Sequence, residues 1–102
     1  MSRKLHLADK AIDDPSAVRL WYRQPGAGRA AKRQTQAIAA AIRRLRQNPC
    51  RYARGDHPGT RQMVIEGHVV IYEIHPDTGR DTTAGDVLVL RVFGPGQSRE
   101  VF

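Results

Sequence analysis

Two arginines stand inside otherwise apolar runs of the chain: Arg61 within residues 60–66 and Arg91 within residues 86–93. An ionised guanidinium in a strand of a small sheet must reach solvent, a counter-ion or a ligand, because burying it unpaired is prohibitive. A third, Arg99, follows in the C-terminal tail. The planar guanidinium fork suits bidentate contact with phosphate or carboxylate oxygens. Arg61, Arg91 and Arg99 are therefore expected to form a basic, target-binding patch along one end of a sheet. The plainer outcome is an ion pair of Arg61 or Arg91 with Glu66 or Glu73.

Other reactive side chains lack the spacing that chemistry requires. His6, His57, His68 and His75 are scattered, and Cys50 is the lone cysteine, so no zinc site is expected. Asp77, Asp81 and Asp86 lack the ligand spacing of a calcium loop and read as loop-formers. Gly94-Pro-Gly-Gln-Ser98 has no P-loop lysine, and Ser16 and Ser98 do not stand in strand-turn-helix elbows. The chain is expected to need no metal and no cofactor.

The elements that must position these groups can be read from periodicity. Residues 4–7 suit a short edge strand. Asp14 and Pro15 read as a helix start, with Ala17, Val18, Leu20, Trp21 and Tyr22 inside the helix and Pro25-Gly26 ending it. A second helix is expected over residues 30–47, with Ala31, Gln34, Ile38, Ala41, Ile42 and Leu45 on one face. Lys32, Arg33, Gln36, Ala40, Arg43, Arg44 and Gln47 fall on the other, which suits a solvated surface. Residues 60–66 and 68–75 should pair as a hairpin about Glu66-Gly67. After a polar loop, residues 86–93 make the last strand, with Leu88, Leu90 and Val92 on one face and Val87, Val89, Arg91 and Phe93 on the other. The expectation is one α+β domain over residues 1–102, a helical hairpin packed on a small antiparallel β-sheet in the order β-α-α-β-β-β.

Seventeen Lys and Arg against ten Asp and Glu give the 102-residue chain a formal charge of +7. Such a charge favours an anionic partner, nucleic acid or an acidic protein segment. Three Tyr, two Phe and one Trp are too few to favour base-stacking platforms. No apolar run approaches the roughly 20 residues that span a bilayer, and no apolar stretch follows Met1-Ser-Arg-Lys4 to make a secretion signal. A cytoplasmic, reducing setting is expected, without membrane contact.

Ala41-Ile-Arg-Arg-Leu-Arg-Gln-Asn-Pro49, Pro58-Gly-Thr-Arg-Gln-Met-Val-Ile65, Val70-Ile-Tyr72 and Val89-Leu-Arg-Val-Phe93, with Gln97 and Arg99, resemble the RelE/ParE toxins of bacterial type II toxin-antitoxin systems. The resemblance spans roughly residues 35–99 and implies the same helical hairpin on an antiparallel sheet. It also implies one of two activities. RelE-like toxins cleave messenger RNA in the ribosomal A site, using basic residues on the phosphate and a C-terminal Tyr or His for proton transfer. ParE-like toxins poison DNA gyrase and need no nuclease site. Arg61 and Arg91 match the strand arginines shared across the family, and would be catalytic only in an mRNA endoribonuclease. No Tyr, His or Lys follows Arg91, Gly94 stands where many relatives carry His, and the loop before Asp86 is longer than usual. The expectation is thus a ParE-like gyrase inhibitor, with the endoribonuclease as the alternative and a non-toxic basic binding module as the next. The resemblance further implies a ParD-like antitoxin whose acidic, amphipathic segment wraps the toxin, with Leu20, Trp21 and Tyr22 lining its groove.

Overall fold

Val, Ile and Tyr crowd residues 68–75, and β-branched and aromatic side chains of this kind pack well on a pleated surface. In the computed structural model, which describes residues 3–13 and 29–94, this stretch forms an inner strand of eight residues. The described elements are β1 (Leu5–Leu7), α1 (Asp9–Asp13), α2 (Arg29–Arg44), β2 (Arg61–Ile65), β3 (His68–His75) and β4 (Asp86–Phe93). Among the described residues the elements run β-α-α-β-β-β, with Asp9–Asp13 as the first helix. The predicted helix beginning at Asp14 lies outside the described residues. The short helix Asp9–Asp13, held by Ala8 N–H to the Val89 carbonyl (2.8 Å) and by the fully buried Ala11, is an element that the sequence did not announce.

The four strands lie in the order β1-β4-β3-β2. β2, β3 and β4 form the expected antiparallel meander, and β1 adds to β4 in parallel, so the sheet is mixed. Parallel addition follows from connectivity: β1 and β4 are joined only through the whole intervening chain, which frees β1 from hairpin geometry. The β2–β3 turn has positive φ at both central residues, Glu66 (50°) and Gly67 (74°). That is the turn geometry whose twist matches a two-residue hairpin, and Glu66 adopts it without a glycine's freedom.

One face of the sheet meets α2. Ile38, Ala41, Ile42 and Leu45 are buried in one cluster with Met63, Val70, Tyr72, Ile74, Val87, Val89 and Val92. Arg33, Gln36, Arg43, Arg44 and Gln47 are exposed, as helical spacing requires. Burying an Ile or Leu of this kind is worth about 1.5–3 kcal/mol, so this face supplies much of the drive to fold.

The predicted faces of β4 need one correction. Ile71 pairs with Arg91 while Tyr72 pairs with Val89, which leaves Leu90 as an extra, unpaired residue. A bulge of this kind shifts the alternation by one. Val87 and Val89 therefore share the core face with Val92 rather than with Arg91, and all three valines are fully buried.

Tyr72 joins the sheet to the end of α2. Its hydroxyl donates to the Pro49 carbonyl at 2.7 Å in a fully buried setting, and burial raises the phenol's pKa well above its usual value, keeping it a neutral donor. Tyr72→Phe would strand that carbonyl, and is expected to cost about 1–2 kcal/mol. A lower urea midpoint with an unchanged denaturant slope would show it; an unchanged midpoint would refute it.

Candidate functional site

Arg61 opens β2 on the same face as its cross-strand neighbour Tyr72, and its side chain is only 9% exposed. The counter-ion is neither Glu66 nor Glu73. Glu66 lies at the far end of β2, and Glu73 follows Tyr72 onto the opposite face, where it meets His75 Nε2 at 3.4 Å. Asp77 supplies the carboxylate: Arg61 Nε donates to Oδ2 at 2.7 Å and Nη2 donates to Oδ1 at 3.0 Å. Nη1 donates to the Tyr52 carbonyl at 2.6 Å and reaches that of Cys50 at 3.4 Å. Asp77 Oδ1 also accepts the Gly79 N–H at 3.0 Å. The hydrogen bonds with Asp77 raise the Arg61 pKa and, reciprocally, hold the Asp77 carboxyl below its ordinary value. Arg61 is thereby a tie between three segments.

Arg91 lies elsewhere. It faces Ile71, one position from Tyr72, and so projects from the opposite side of the sheet, with its guanidinium 4.6 Å from the Phe93 ring centroid. Arg61 and Arg91 are not brought together, and the expected single patch does not form from them. Alternation along the strand sets this placement once the Leu90 bulge is counted. Arg99, like Leu20, Trp21 and Tyr22, lies outside the described residues.

The tie has a visible product. The chain after α2 makes successive tight turns, with Asn48 N–H on the Arg44 carbonyl (3.1 Å) and Arg51 N–H on that of Asn48 (3.3 Å). It then runs beside β2 as an extra edge segment: Gly55 N–H donates to the Thr60 carbonyl (2.9 Å) and Gln62 N–H to that of Ala53 (3.1 Å). Arg51 and Arg54 are exposed on this segment, with the Arg51 guanidinium 5.8 Å from the Tyr52 ring centroid. Arg54 adds its positive charge to the field that lowers the Asp77 pKa. No apolar alternation marks residues 50–59 as an edge segment, because backbone bonds and side chains from elsewhere in the fold, Arg61 and Asp81, hold it.

The predicted loop-formers each have a defined job. Asp81 Oδ1 accepts the Cys50 N–H at 2.8 Å, and Asp86 Oδ1 accepts that of Lys4 at 2.9 Å. Arg3 inserts its guanidinium among backbone carbonyls, donating from Nε to Gly85 (2.8 Å) and from its terminal nitrogens to Ala84 (3.0 Å), Asp81 and Arg46. Gly85 sits where this loop closes against the end of β3; a Cβ there would fall 1.8 Å from the His75 carbonyl oxygen. Burial, above all, pushes the Cys50 thiol up against the pull of Arg61, leaving it protonated at neutral pH and a poor nucleophile. Among the described residues, no group of three or more His, Cys, Asp or Glu is gathered as a metal site, and no helix is long and apolar enough to cross a membrane.

Asp77→Asn removes the counter-ion of a nearly buried guanidinium and is expected to destabilise the fold by about 3 kcal/mol. The pH dependence has a definite sign. The folded Asp77 pKa lies below the unfolded value of about 3.9, so its contribution is complete above that pH and is lost as pH falls through the folded pKa. The stability gap between wild type and Asp77→Asn should be flat at neutral pH and close on acidification below about pH 4. Urea titrations across that range measure it, and a gap constant to pH 2 would refute the linkage.

Comparison with known proteins agrees with this architecture. A family model described as the ParE toxin of type II toxin-antitoxin systems, parDE, matches residues 5–97. Among solved structures, a chain of the chromosomal ParDE toxin-antitoxin system from P. aeruginosa superposes with a TM-score of 0.63. The two are 18% identical, over 92% of this chain and 97% of that one. No curated protein matches the chain in sequence. At that identity the structural likeness speaks for the fold, and the family match covers nearly the whole length. The chain belongs to the ParE toxins of type II toxin-antitoxin systems.

Proposed function

We propose that this toxin acts by binding DNA gyrase rather than by cutting RNA, and that a ParD-like antitoxin neutralises it. The observation that supports this reading is the bidentate Arg61–Asp77 pair. A nuclease of the related RelE type would need Arg61 free for a phosphate, with a second cation on the same side. Here Arg61 spends its donors on a carboxylate and two carbonyls, and Arg91 leaves the sheet from the other face. The sequence after Arg91 offers no Tyr, His or Lys for proton transfer, and the carboxylate of Glu100 is ordinarily ionised at neutral pH. Inhibition by protein binding requires none of these groups.

The antitoxin follows from the same charge balance. The chain is formally +7, which complements an acidic segment wrapped around it, with Leu20, Trp21 and Tyr22 as proposed apolar contacts. Arg91 and Arg99 remain proposed contacts for the target. The proposed site of action is the cytoplasm, where gyrase works.

The purified chain in molar excess should block gyrase supercoiling, and the cognate antitoxin should restore it. Unimpaired supercoiling together with cleavage inside the A-site codon of translated mRNA would assign the ribonuclease activity instead. Full growth on induced expression would leave a non-toxic binding module.

A further inference from the structure

Charge is distributed unevenly along this chain. Between Asp14 and Asp56 there is no Asp or Glu at all, yet the stretch holds ten of the seventeen Lys and Arg. The remaining residues hold seven cations and all ten carboxylates, so the excess positive charge belongs wholly to this one stretch. Its described end is compact. Arg43 and Arg44 close α2, Arg46 sits in the turn that follows, and Arg51 and Arg54 stand on the connector beyond. Short-range backbone bonds from residue 45 to residue 51 fold the turn after α2 into a knob, Arg54 follows where the chain bridges to Arg61 of β2, and all five side chains are exposed. None of the five pairs with a carboxylate of the described residues; Arg46 donates through Nε to the Arg3 carbonyl.

Apolar content separates the possible polyanions. A protein partner is gripped mainly through buried aromatic and aliphatic anchors, with charges at the rim. Val64 is the only large apolar side chain exposed among the described residues, and it stands on β2 rather than on the knob. A surface of guanidinium groups without apolar anchors suits a phosphate backbone, where affinity comes from counter-ion release. The ties of Arg61 and Tyr72 to the backbone of residues 49–52 hold the knob rigid before any ligand arrives. Less ordering entropy is then lost on binding.

We infer that Arg43, Arg44, Arg46, Arg51 and Arg54 form a sequence-independent contact for the phosphate backbone of duplex DNA. The choice of DNA over RNA rests on the gyrase reading above, because gyrase holds duplex DNA as its substrate. The toxin would then touch the nucleic acid of that complex as well as its protein.

Fluorescence anisotropy with a labelled 30-base-pair duplex, without gyrase, tests this between 50 and 200 mM salt. Binding is expected, with log K falling linearly in log salt. Arg51→Gln/Arg54→Gln should weaken binding about tenfold or more at 100 mM and flatten the slope by about two. Arg43→Gln/Arg44→Gln serves as a second pair, each variant being checked for a wild-type thermal midpoint. No binding at 50 mM, or wild-type affinity and slope in both folded variants, would overturn the inference. Tighter binding to RNA of equal length, or equal competition by polyglutamate, would overturn the assignment to DNA. A supercoiling assay run in parallel separates the two readings. Blocked supercoiling without DNA binding sinks only the inference, and DNA binding with normal supercoiling leaves the inference standing and sinks the gyrase target.

Discussion

A guanidinium on the core face of an edge strand is the constraint around which one end of this molecule is organised. Arg61 cannot be left charged and dry, and it cannot be neutralised at any ordinary pH. The chain answers with one carboxylate and two backbone carbonyls drawn from separate loops. Each partner is fixed in turn: Asp77 by the Gly79 N–H, and residues 50–52 by Asp81 and by the turns after α2. Tyr72, across the ladder from Arg61, holds the Pro49 carbonyl. Two adjacent strand residues thus locate the end of the helix, the connector and the loop before β4.

The same logic explains why the loop joining β3 to β4 is long. A two-residue turn would close the hairpin but would supply no Asp77 for Arg61, no Asp81 for Cys50 and no carbonyls for Arg3. Its length is used in polar contacts with Arg3 before β1, with the turns after α2 and with the edge of the sheet. Such contacts add little stability singly, since each replaces a bond to water. Together they give otherwise irregular chain one arrangement.

Regular elements were legible because their signals are local. Helical spacing marked Ile38, Ala41, Ile42 and Leu45, and the β-branched runs marked β2, β3 and β4 to within a residue or so. The polar architecture was not legible. Arg61 announced that it needed a partner, but three carboxylates in the same loop look alike in sequence, and only the fold selects Asp77. The Leu90 bulge was likewise silent, because apolar residues occupy every position around it except Arg91. The two sequence-marked arginines therefore looked like one site. The exposed arginines of the connector carry no signal in sequence, because nothing local distinguishes a solvated charge from one that is held in place.

Leu90 bears on how this family is compared. An extra residue in a strand changes which side of the sheet every later residue faces, while barely changing the strand's length. Two relatives can each carry an arginine near the end of the last strand, and match column for column, yet present it to opposite sides if only one has the bulge. Equivalence at Arg91 must be counted from the ladder partner, Ile71, and not from the neighbouring valines. In an alignment of β4, a one-residue gap at Leu90 is a change of address for the side chains that follow it.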